Sequence, residues 1–113
     1  NVLLGDYLGC YKDDSNRRFE WPTSGVRALK GDLYHNTAEC VKLCVEGNYK
    51  YMGLQYDVEC FCGNDIDKIK SLGTRNPDEG QCGMKQQGTA QYDAFGCWGG
   101  SWTNCVYDIS ANY

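Results

Sequence analysis

Cys40 and Cys44 stand four residues apart, and Cys60 and Cys62 stand two apart, in a chain that carries eight cysteines in 113 residues. Residues four apart on a helix share a face, as do residues two apart on a strand. Four helical residues rise about 6 Å and two strand residues about 6.8 Å, so the two pairs match in pitch. One helix can therefore be stapled to one strand by two nearly parallel disulfides. A helix running in one direction gives Cys40–Cys60 and Cys44–Cys62; the opposite direction gives Cys40–Cys62 and Cys44–Cys60, and spacing alone leaves both open. The same four sulfurs could hold zinc, but structural zinc ligands are spaced to wrap one ion tetrahedrally. Two disulfides are the simpler expectation, and no metal is expected. Cys10, Cys82, Cys97 and Cys105 complete an even set.

Catalytic chemistry finds little support. The one histidine, His35, lies just ahead of an expected helix cap, and no Ser or Cys sits in a nucleophile motif. Carboxylates occur in pairs (Asp13 with Asp14, Asp65 with Asp67, Asp78 with Glu79), and glycoside hydrolysis needs two. Adjacent surface acids ordinarily solvate a fold, and a substrate cleft is hard to build in so small a domain; no enzyme is expected and no cofactor. Asn64-Asp65-Ile66-Asp67 alternates oxygen ligands but lacks the glycine and closing Glu of a calcium loop, and reads as a turn.

Carbohydrate binding fits better. A sugar presents an apolar C–H face and a rim of hydroxyls, so it asks for an exposed aromatic beside planar amides, carboxylates or Arg. Two stretches offer this: Trp98, Trp102 and Asn104 between Cys97 and Cys105, and Asp13, Arg17, Arg18 and Trp21 after the first strand. Tyr56 and Asn64, at the ends of the central hairpin, could border either. Ser101, Thr103 and Asn104 flank Trp102 with polarity, which predicts exposure.

Composition sets the setting. The chain carries a net charge of −4 with its eleven Lys and Arg scattered, which argues against nucleic acid as a partner. Disulfides persist in oxidising compartments, so a secreted or extracellular location is expected. The start at Asn1 without a signal-like segment reads as a mature form or an excised domain. No stretch approaches the ~20 apolar residues of a membrane span, so no membrane insertion is expected. No asparagine has Ser or Thr two residues on, so N-glycosylation is not expected either. Aromatic residues make up 13%, nine of them Tyr, and suit both a small core and a binding surface.

The elements that must position these residues follow from pattern. Tyr7–Lys12 reads as a first strand, and Phe19–Pro22 as an exposed aromatic stretch. Asn36 as N-cap, Glu39 in a capping box and Gly47 as a left-handed stop frame a helix whose apolar stripe is Cys40, Val41, Cys44 and Val45. Tyr49–Tyr56 and Glu59–Gly63 form a hairpin reversing at Asp57-Val58. A helical turn is expected near Ile66–Leu72, strands at Tyr92–Gly96 and Val106–Ile109, and a small loop from Cys97 to Cys105. The fold class is α+β: one small disulfide-rich domain spanning 1–113, an antiparallel β-sheet with one main helix stapled to a central hairpin.

The pieces Gly9-Cys10-Tyr11-Lys12-Asp13, Cys40-x-x-x-Cys44, Tyr51-Met52-Gly53-Leu54-Gln55-Tyr56 and Glu59-Cys60-Phe61-Cys62-Gly63-Asn64, with Val106-Tyr107 near the end, resemble the WSC domain. This extracellular cysteine-rich module occurs in fungal cell-wall stress sensors, secreted fungal enzymes and animal receptors. The resemblance implies the pairing Cys10–Cys82, Cys40–Cys60, Cys44–Cys62 and Cys97–Cys105, and a glycan-binding role. Two departures mark the C-terminal part: Gly83 to Gly96 separates the sixth and seventh cysteines, and Cys105 runs directly into Val106 where the family carries a glycine pair. The expected function is a secreted lectin-like module recognising glycan or polysaccharide without catalysis, with self-association as a route to avidity. The alternative is a protein–protein interaction or structural module, as the occurrence in receptors suggests.

Overall fold

The computed structural model describes residues 5–31, 33–56, 58–74 and 102–113. Five strands, β1 (Tyr7–Lys12), β2 (Arg27–Ala28), β3 (Tyr51–Gln55), β4 (Glu59–Gly63) and β5 (Thr103–Asp108), form one antiparallel sheet in the order β1-β5-β3-β4-β2. Helix α1 (Leu33–Glu46) packs on one face, α2 (Ile66–Lys70) follows β4, and a 3₁₀ turn (Ser110–Asn112) follows β5.

The cysteine spacing has the outcome expected of it. Asn36, Thr37, Cys40, Val41 and Cys44 form the buried stripe of α1, and Cys40–Cys60 and Cys44–Cys62 bridge it to β4 with Cα separations of 5.4 and 5.3 Å. The direction left open by spacing is thereby decided, and all four sulfurs that zinc would need are covalently paired. Cys10 and Cys105 face each other across β1 and β5, and both are disulfide-bonded. Their implied partners Cys82 and Cys97 lie outside the described residues, as do the expected strand Tyr92–Gly96 and Trp98.

The helix starts earlier than its expected cap. Asn36 is inside α1 and buried, and its Oδ1 accepts the Gly31 N–H at 2.8 Å, tying the incoming chain to the helix. At the other end the left-handed residue is Asn48 (φ +64°), one position beyond Gly47. The Tyr49 N–H reaches Cys44 O at 2.9 Å and the Asn48 N–H reaches Val45 O at 3.0 Å, the paired closure of a Schellman turn. Asn tolerates this conformation because its side chain is short and polar.

Alternation along β4 divides the molecule. Cys60 and Cys62 face α1 with Met52, Leu54 and Tyr107 of the neighbouring strands. Phe61 faces the other way, into a second cluster with Phe19, Ile69 and Val106. Phe19 is buried, contrary to the exposed stretch expected there, because glycines open a slot for its ring. A Cβ at Gly53 would lie 2.6 Å from the Phe19 ring, and one at Gly63 would lie 3.2 Å from it.

The outer edge of β4 is paired twice. Trp21 bridges Cys62, and β2 then resumes the pairing with Arg27 opposite Cys60. Residues 22–26 therefore leave the sheet as an excursion between two anchored points, entered through a cis Trp21–Pro22 bond.

Candidate functional site

Register across the sheet aligns four polar or amphipathic side chains in a row. Glu59 of β4 lies opposite Gln55 of β3, Gln55 opposite Asn104 of β5, and Asn104 opposite Tyr11 of β1. All lie on the face away from the disulfides. Gln55 and Asn104 are buried there, and the Gln55 amide donates to Asn104 Oδ1 at 3.2 Å.

Asp13, just past β1, completes the network. Its side chain is 1% exposed, and Oδ2 accepts from Arg17 at 2.8 Å and from the Gln55 amide at 3.0 Å. Its Oδ1 accepts the Arg18 N–H at 3.1 Å, and its own N–H donates to Trp102 O at 2.8 Å. A buried carboxylate satisfied in this way acts as a rigid post. The post holds Arg17, whose guanidinium carbon lies 5.0 Å from the centre of the Phe61 ring and 4.8 Å from that of Trp102. Such cation–π contacts fix an aromatic ring that would otherwise swing in solvent.

A cavity of about 250 Å³ opens beside this stack, lined by Arg17, Gln55, Tyr56, Glu59 and Trp102. Burial pushes the Glu59 carboxyl above its ordinary value; Arg17 pulls it back, and the Asp13 carboxylate adds to the rise. Tyr56 is 62% exposed and Trp102 46% exposed. Both have φ of +55°, in the left-handed region that bulky side chains avoid. Asn48, at the end of α1, is the remaining non-glycine residue of this kind among those described.

The two stretches singled out in the sequence thus meet in one place. Arg17, Trp102 and Tyr56 line the cavity, and the buried Asp13 holds Arg17 in place. Asn104 bonds Gln55 and is buried in β5, where a small loop was expected. Arg18 turns away, bonding Asp14 at 3.2 Å, Asn16 O at 2.7 Å and Ser71 at 3.2 Å. Trp21 is half-buried against the disulfide-side core. Asn64 ties the Lys50 N–H at 2.8 Å and serves the hairpin base. Asp65, in the stretch weighed for calcium, caps α2 by accepting the Lys68 N–H at 3.1 Å. Gln55, Glu59 and Phe61 were missed, although strand alternation carried the signal. If Cys60 and Cys62 face a helix, Glu59 and Phe61 must face away from it.

The WSC domain family model matches residues 7–105. The chain belongs to the WSC domain family. This WSC domain is 41% identical over 84 residues to Xylosyltransferase oxt of Drosophila melanogaster, covering 74% of this chain and 9% of that protein. It is 32% identical over 85 residues to a WSC domain-containing protein of Arthroderma benhamiae, covering 74% of this chain and 8% of the relative. It is 35% identical over 63 residues to human Kremen protein 1, covering 56% and 12%. The WSC domain therefore spans about a tenth of the length of these relatives. It is a cysteine-rich module of extracellular type, consistent with carbohydrate binding or protein interaction and with the secretory pathway, whose oxidising lumen favours disulfides.

Proposed function

We propose that this WSC domain is a secreted or cell-surface lectin-like module that binds glycan without catalysis, through the cavity between Trp102, Tyr56 and Glu59. One observation carries the reading: two exposed aromatics, Tyr56 and Trp102, are held at φ +55° on the rim of one small polar cavity. A bulky residue in that conformation costs ~1–3 kcal/mol and persists where the surroundings over-determine it, typically at ligand clamps. The chemistry is that of a sugar site. Trp102 and Tyr56 offer flat apolar surface to the C–H face of a pyranose, while Arg17, Gln55 and Glu59 lie at its edge to meet hydroxyls. Arg17 is already neutralised by Asp13 and Glu59 adds negative charge, which favours uncharged sugars.

A glycan array followed by calorimetry on the strongest ligand tests this reading. Trp102→Ala should weaken binding about tenfold or more, from lost stacking and lost apolar contact. Trp98→Ala, made in parallel, asks whether the cysteine-flanked stretch contributes a second platform. An array without binders, or a Trp102→Ala variant of unchanged affinity, refutes the proposed site.

A further inference from the structure

Trp102 and Arg17 do not line only the cavity beside Tyr56. They also line a larger one of about 630 Å³, walled by the exposed Ser15 and Asn16 and by the 22–26 excursion. A volume in the range of ~300–1,000 Å³ accommodates a ligand of several rings, whereas the smaller cavity is below that range. Because the two cavities share the Trp102–Arg17 stack, this stack is a ridge between them.

The larger cavity has the composition a sugar chain needs. Apolar surface comes from Pro22 and Val26, the latter 43% exposed, and charged groups from Glu20 and Lys68. Hydroxyl and amide groups come from Asn16, Thr23 and Ser24. Pairing geometry produces this wall: Trp21 and Arg27 are both fixed to β4, so the five residues between them must project from the sheet. Gly25 at φ +69° makes the turn, with nothing within 4 Å of where its Cβ would be.

We propose that the glycan site continues across the Trp102–Arg17 ridge into this larger cavity, so that the domain recognises the interior of a polysaccharide chain and not a terminal sugar alone. The inference rests on the glycan reading above. One ring occupies the space beside Tyr56, a bond of the chain crosses the ridge, and further rings lie along the excursion.

Calorimetry with laminari-, xylo- and chito-oligosaccharides, from disaccharide to hexasaccharide, tests it. For the series that binds, affinity should rise about tenfold from disaccharide to pentasaccharide and then level off. Val26→Glu and Ser24→Trp change exposed positions of the excursion and should leave the fold intact by circular dichroism. Each should weaken the pentasaccharide about fivefold while leaving the disaccharide unchanged, as lost contact in one cavity alone requires. Equal affinities at every length, or variants that affect short and long ligands alike, overturn the extension while the glycan reading stands. No binding at any length, together with a blank array, overturns both.

Discussion

Replacing Asp13 with Asn tests whether the buried carboxylate holds Arg17 and the Trp102 stack together. The substitution keeps Oδ1 to accept the Arg18 N–H but puts an amide where Oδ2 now meets Arg17 and Gln55 at 2.8 and 3.0 Å. Removing one member of a fully buried ion pair costs ~3–5 kcal/mol. Arg17 is 26% exposed in its side chain and can turn to water, and the Gln55 amide can flip to offer its oxygen. These releases bring the expected loss to about 2–3 kcal/mol. Urea denaturation with the disulfides intact measures it. The decisive form is a double-mutant cycle with Arg17→Met, which keeps the stem over Phe61 and removes the charge. Asp13→Asn should cost about 1–2 kcal/mol less when Arg17→Met is already present than in the native chain. A coupling energy below about 0.5 kcal/mol, within ordinary additivity, refutes the argument that Asp13 acts through Arg17.

Tyr56→Gly relieves backbone strain of ~1–3 kcal/mol and adds about 0.5–1 kcal/mol of unfolded-chain entropy cost. The variant should melt at the same or a higher temperature while binding glycan more weakly; joint loss of stability and binding contradicts the clamp. Glu59 has a folded-state value raised above the ordinary 4.5, so the native state holds its proton to higher pH than the unfolded chain does. Stability should therefore fall as pH rises from about 4.5 through the raised value, and Glu59→Gln should flatten that limb in melts from about pH 4 to 8. The Cys44–Cys62 bridge overlaps the loop closed by Cys40–Cys60, so Cys44→Ala with Cys62→Ala should cost about 2 kcal/mol by denaturant titration, less than an isolated loop of 18 residues, with Cys40–Cys60 still oxidised.

Local spacing carried the helix and hairpin, because four-residue and two-residue periods directly report a shared face. It also found α2, whose Asp65 cap serves the turn expected near Ile66–Leu72. The start of α1 escaped because Asn36 has the chemistry of a cap and uses it to hold Gly31 from within the helix. Phe19 escaped because its burial depends on Gly53 and Gly63, which are distant in sequence and meet it through strand order. The meeting of Asp13 and Arg17 with Trp102 and Asn104 arises from the pairing of β1 with β5, a contact between opposite ends of the chain. No local pattern reports such a contact. Each of the two stretches nonetheless carries aromatic and polar side chains, and the sheet joins them in one candidate site.

The alternation of β4, with sulfur on one face and Phe61 on the other, implies an unequal tolerance of change. Covalent bonds hold the helix side, so the exposed rim of the opposite side, outside the Phe19–Phe61–Ile69–Val106 cluster and the buried Asp13, can vary with less effect on the frame. A library randomised at Tyr56, Glu59, Trp102 and the 22–26 excursion should retain a high proportion of folded members. The same density of change around Met52, Leu54 and Val41 should not. One sheet thereby carries a covalently braced face and a face whose rim can change, and under the proposed function new specificities become reachable by altering that rim.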